Sequence, residues 1–193
     1  MMRTFSEVLC TAIMLALSVF VPPATEAAGQ SEAAGPMATE QKAAFIFNFA
    51  KFTDWPPDAI LANQQISICV AGDNAVAAAV QRLITGKAIA GHELTTVIVN
   101  VARPIDWCHV LYVNGLDQRQ TAQLFETLKG IPVLTVSDSG TFVKRGGIVQ
   151  LIPEKDQMRF VINLAAARRS RLTLSSNLLS LATIVKDEPG VDH

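Results

Sequence analysis

Few residues of this chain have the chemistry and spacing of a catalytic centre. Cys108 and His109 are adjacent, and a thiol beside an imidazole pairs a nucleophile with a base. In a strand, neighbouring side chains point to opposite faces, so the two cannot readily share a proton. A Cys108 already oxidised to a disulfide cannot attack at all. Asp138-Ser139-Gly140 follows an apolar run, and open α/β sheets bind ligands beyond the carboxyl ends of their strands. The same three residues are equally ordinary turn chemistry. Arg168, Arg169 and Arg171 crowd around Ser170, and Lys144-Arg145 precedes Gly146-Gly147. Such clusters clamp an anion or an acidic patch on a partner. They also form solvated faces that complement a helix C-terminus.

Other chemistry lacks its residues. A dinucleotide fingerprint needs three glycines directly after a strand, and the turn Ala71-Gly72-Asp73 supplies one. Gly86 and Gly91 flank a loop without the spacing or the Lys-Ser/Thr pair of a P-loop. There is no HExxH and no CxxC, and His92, His109 and His193 are scattered. No cofactor, no metal and no enzymatic activity are expected.

The N-terminus has the layout of a secretory signal peptide: Arg3, an apolar run Leu9–Val21, then small residues around Ala24–Gly29. The run is too short for a membrane span, and Val8-Leu9 before Cys10 is no lipobox. Cleavage after Ala27 or Gly29 gives an exported, periplasmic chain with no direct membrane insertion. An uncleaved anchor is the alternative. Removing residues 1–29 takes away one Arg and two Glu, which brings the formal charge from −1 to 0. A neutral chain has no basic stripe for nucleic acid. Residues 30–38 read as a disordered leader, 39–186 as a single domain and 187–193 as a frayed tail containing Pro189.

Cys69 and Cys108 remain after cleavage. An even count in an exported chain favours a disulfide, two buried free thiols being the alternative. Closing that loop is worth roughly 4 kcal/mol in the chain-entropy model. Whether geometry permits the bridge is not written in the sequence.

The elements that must position these residues follow from periodicity. Four of the nine phenylalanines (Phe45, Phe47, Phe49, Phe52) lie in Lys42–Pro56, KAAFIFNFAKFTDWP, which reads as a helix ended by Pro56-Pro57. Phe45, Phe49 and Phe52 share one face, and Phe47 lies opposite with Lys51. A helix this apolar is a core helix, or it also forms an interface or ligand wall, with Phe47 and Trp55 as the candidates. If Phe47 is exposed the helix has an interface role; if buried it is core.

Ile66–Ala71 and the β-branched Leu94–Val101 read as strands, followed by His109–Val113 and Pro132–Val136. Between them lie a helix over Ala75–Gly86, a turn over Lys87–Glu93 and a helix over Asp117–Lys129 capped by Gly130. Alternation of this kind means a central, mostly parallel sheet with helices on both faces. Gly146–Ile152 and Met158–Asn163 form a hairpin. A short helix over Leu164–Arg169 capped by Asn163 follows, then a last helix from Ser175-Ser176 through Val185.

The opening KAAFIFNFAKFTDWP resembles the signature of the YfiR family of exported bacterial regulators of c-di-GMP signalling. Asp138-Ser139-Gly140, Phe142, Gly146-Gly147-Ile148, Phe160–Leu164 (FVINL) and Leu172–Ala182 (LTLSSNLLSLA) are similar too. The positions of Cys69 and Cys108 are like those of a cysteine pair that members oxidise. The resemblance spans about residues 38–186. It implies a periplasmic α/β domain that forms homodimers and binds the periplasmic sensor region of a membrane diguanylate cyclase of the YfiN type, holding it inactive. Some members carry a second cysteine pair in the segment corresponding to about 140–155, where this chain has none. A periplasmic small-ligand module with another partner is the second reading, with a pocket near Trp55 or at the Asp138 loop.

Overall fold

A computed structural model describes residues 35–154 and 157–185. The segment read as a signal peptide, the first residues of the one read as a leader, Lys155-Asp156 and the segment read as a tail lie outside them. The elements in chain order are α1 (Pro36–Lys51), β1 (Thr53–Asp54), β2 (Ile66–Ala71), α2 (Asn74–Ile84), β3 (Ala88–Ile89), β4 (His92–Ile98) and β5 (Val110–Val113). After them come α3 (Gln118–Thr127), β6 (Leu134–Ser137), a 3₁₀ turn (Val143–Arg145), β7 (Val149–Glu154) and β8 (Gln157–Asn163). The chain finishes with α4 (Leu164–Arg169), β9 (Thr173–Leu174), α5 (Ser176–Leu179) and β10 (Thr183–Val185).

Eight strands form one sheet in the order β10-β8-β7-β6-β5-β2-β4-β3. The five inner strands β7, β6, β5, β2 and β4 are mutually parallel. Their order is that of a doubly wound sheet with its switch point between β2 and β5. The expectation of a mostly parallel α/β sheet therefore holds, as does the antiparallel hairpin β7–β8.

Pleating divides the core between two faces. Ile68 and Val70 of β2 and Val110 and Tyr112 of β5 face α1 and α2. Cys69, Ala71, Leu111 and Val113 face the other way, where Leu124 of α3 covers them. Strands buried on both faces cannot alternate apolar with polar residues, which is why β2 and β5 read as continuous apolar runs.

The helix starts are set locally. Asp73 accepts from the Val76 amide at 3.0 Å, and Asn163 accepts from the Ala166 amide at 2.8 Å. Asp117 and Gln120 make a reciprocal capping box. Each cap is worth about 1 kcal/mol.

Several boundaries differ from the sequence reading. Helix α1 begins at Pro36, inside the segment read as leader, since proline is well suited to a first helical position. It ends at Lys51, five residues before Pro56. Thr53 turns back to bond the Phe49 carbonyl at 2.7 Å, and Thr53–Asp54 then pairs antiparallel with β9. Residues 87–93, read as a turn, hold a tight hairpin: Ala88 and Ile89 pair with Glu93 and His92 around Ala90-Gly91. Both central residues have positive φ, 51° and 88°, which is the two-residue turn whose twist matches that of its strands. This pairing also starts β4 at His92, earlier than Leu94. Finally, the expected last helix stops at Leu179. Thr183-Ile184-Val185 is instead a strand parallel to β8, as three residues dominated by β-branching favour.

Candidate functional site

The two catalytic candidates are both used structurally. Cys69 and Cys108 form a disulfide with Cα atoms 5.9 Å apart, and both are buried, 0% and 2% exposed. A sulfur in that bond is no nucleophile. His109 points away into its own backbone cage. Its Nδ1 accepts from the Ser67 amide at 3.0 Å, so Nδ1 carries no proton, and Nε2–H donates to the Ala59 carbonyl at 3.2 Å. Burial, aided by the charge of nearby His92, holds its pKa below the usual imidazole value, against the Ala59 bond that raises it.

The switch point of the sheet, where a doubly wound fold offers a ligand crevice, is filled by the protein itself. Gly72 abuts the end of β5 so closely that a Cβ there would lie 2.1 Å from the Asn114 carbonyl oxygen. Its φ of +81° also suits glycine alone. Beside it, Lys42 of α1 reaches the Asp138 carboxylate at 2.6 Å, with side chains 6% and 19% exposed. Below, the buried Tyr112 hydroxyl has its pKa pushed up by desolvation and by Asp138. The Asp138 carboxylate is therefore engaged in an internal ion pair.

The remaining candidates divide among three surfaces. Phe47 and Trp55 line one cavity of about 640 Å³. It lies between the end of α1, the Pro56–Ile60 segment and the β3–β4 hairpin, with Ile60, Ile66 and Ile89 as apolar walls. Phe47 is half-buried, neither core nor fully exposed. Phe45 and Phe49 instead pack on Phe160 of β8, centroids 5.6 and 5.1 Å away, so the two faces of α1 are separated as their spacing requires. The Lys87 ammonium lies 4.9 Å above the Phe47 ring, and that of Lys51 lies 5.6 Å from the Phe52 ring. Trp55 meets His109 edge-on at 6.3 Å, and its indole N–H is buried with no acceptor among the described residues. Leaving such a donor unpaired costs about 1–3 kcal/mol.

Arg145 and Arg169 share a second cavity, of about 420 Å³, with Phe125, Lys129 and Glu126. Arg168 is exposed. Arg171 is engaged elsewhere: it holds both carboxylate oxygens of Asp58 at 2.9 and 3.1 Å. The arginine cluster of the sequence is thus no single clamp. Sequence reasoning missed Lys87 and Ile89, which reach the first cavity through a hairpin that the local residues barely announce. Among the described residues there is no group of three or more His, Cys, Asp or Glu able to hold a metal. No described helix is long and apolar enough to cross a membrane.

Residues 39–183 match the family model of the YfiR/HmsC-like proteins. Among solved structures, a conserved domain protein from Vibrio cholerae O1 biovar El Tor is similar, at 18% identity and a TM-score of 0.45, over 77% of this chain. The chain spans 60% of the length of that protein. The family match covers most of the chain, and the chain belongs to the YfiR/HmsC-like family.

Proposed function

We propose that this member of the YfiR/HmsC-like family is exported on a cleaved leader and represses a membrane diguanylate cyclase by binding its periplasmic sensor region. The observation that carries the reading is the family match over residues 39–183, which runs from α1 to the first residue of β10. Repression requires only that the domain bind the inactive sensor better than the active one. A difference of about 1.4 kcal/mol moves that equilibrium tenfold. The homodimer that the family resemblance implies belongs to the same reading.

The groove lined by Arg145 and Lys129 is the surface we assign to the sensor. These two cations face one acid, Glu126, so an acidic segment is the complementary partner. Phe125 adds apolar area at its floor. Charges at such a rim act mainly on association rate and salt dependence.

Calorimetry between the purified mature chain and the sensor region tests this. Arg145→Glu is expected to weaken binding at least roughly tenfold, with the melting temperature unchanged because Arg145 is exposed and makes no ion pair among the described residues. In cells, deleting the gene is expected to raise c-di-GMP. An unchanged level, with a neighbouring membrane cyclase expressed, defeats the proposal.

A further inference from the structure

We infer that the Phe47–Trp55 cavity is a binding site for a small amphipathic monoanion free in solution, a carboxylate carried on an aromatic or branched apolar body. This inference stands apart from the cyclase reading, because it concerns the chain alone.

The cavity volume of about 640 Å³ falls within the roughly 300–1,000 Å³ typical of small-molecule sites. Its lining is of the type that such sites use: two aromatic rings, Phe47 and Trp55, together with the branched aliphatic Ile60, Ile66 and Ile89. An apolar body is what those walls accept.

The charge of the ligand follows from the rim. Lys51 and Lys87 both line the cavity, and Asp54 is the single carboxylate there. Neither lysine makes an ion pair among the described residues; each ammonium lies over a phenylalanine ring instead. A cation–π contact leaves the outer side of the ammonium open to an anion. The imidazole of His92 is turned to the Gln64 carbonyl, 2.8 Å from Nδ1, and is not directed at that anion. The sum is an excess of one positive charge.

A polyphosphate or a dinucleotide is excluded by the same geometry. Helix α1 ends at Lys51 on the border of the cavity, and the C-terminal end of a helix carries partial negative charge. With Asp54 beside it, the site favours one negative charge and repels several.

The test uses the purified mature chain with Trp107→Phe, which leaves Trp55 as the one indole reporter of the two in the sequence. Trp107 is 44% exposed and lies outside this cavity. The probes are 3-phenylpropionate and its neutral amide. The expected result is that the acid raises the melting temperature and changes Trp55 emission saturably, with the amide roughly tenfold weaker. Replacing both exposed lysines (Lys51→Gln with Lys87→Gln) should bring the acid down to the level of the amide, while the free protein keeps a cooperative melt lowered by no more than a few degrees through the lost cation–π contacts. The inference is overturned if neither probe binds at millimolar concentration, if acid and amide bind equally, or if the lysine variant binds the acid as tightly as the parent. None of these outcomes depends on a cyclase, so failure here leaves the repressor reading untouched, and the reverse.

Discussion

At His109 the protein holds a titratable group in one protonation state by giving each ring nitrogen a backbone partner. Protonating Nδ1 would break the bond from Ser67 and place a charge among buried atoms. The pKa is accordingly depressed by burial, whereas the unfolded side chain titrates near 6.5. The unfolded chain therefore takes up a proton that the folded chain refuses. The stabilisation from neutral His109 is fully present above about pH 6.5 and is lost as pH falls from there toward the folded pKa. We expect the melting temperature to decline between about pH 7 and 5.5, and His109→Gln to flatten that part of the profile. An unchanged slope in the variant places the acid sensitivity elsewhere. The sequence brought His109 to notice only as a neighbour of Cys108. Its role comes from Ser67 and Ala59, 42 and 50 residues away in the chain, and no local pattern encodes such partners.

At the scale of elements, α1 is anchored to the sheet by two different interactions. Phe45 and Phe49 pack on Phe160, and Lys42 pairs with Asp138 just beyond the end of β6. Such an ion pair adds little net stability, because desolvation offsets its attraction, but removing one member strands the other. Lys42→Met is thus expected to cost about 3 kcal/mol in a urea melt. Adding Asp138→Leu should restore a substantial part of that loss, since no charge is then left behind. If the double variant is as unstable as the single one, the pair is not what holds α1. Elements with local signals were readable in advance: β2 from its apolar β-branched run, α2 and α3 from Asp73 and Asp117, α4 from Asn163. Elements defined by a distant partner were not. Thr53–Asp54 becomes a strand only because β9 lies opposite, and Thr183–Val185 only because β8 is there to pair with it.

For the molecule as a whole, the Cys69–Cys108 bridge ties β2 to the segment leading into β5 on the face covered by α3. It closes a loop of sequence separation 39. Replacing both cysteines by serine is expected to lower stability by roughly 4 kcal/mol in the entropy model. Because both sulfurs lie in the core, the native protein should also keep the bridge in dithiothreitol and yield thiols only once denatured. Rapid reduction of the native chain at neutral pH would contradict that burial.

The sequence by itself determined the parallel α/β class, the family resemblance, the cysteine pair as a candidate bridge and the aromatic character of the first helix. These depend on residue type and short-range periodicity, which act within a few residues of one another. Tertiary structure decided what those residues do. It split the arginines between a groove and an ion pair with Asp58, and it paired Asp138 with a lysine from 96 residues earlier. It also set a hairpin lysine above Phe47, which turned one face of an apolar helix into a charged-rimmed cavity. Such outcomes depend on which segments meet when the sheet closes. That is a property of the whole chain's packing, and no window of the sequence contains it.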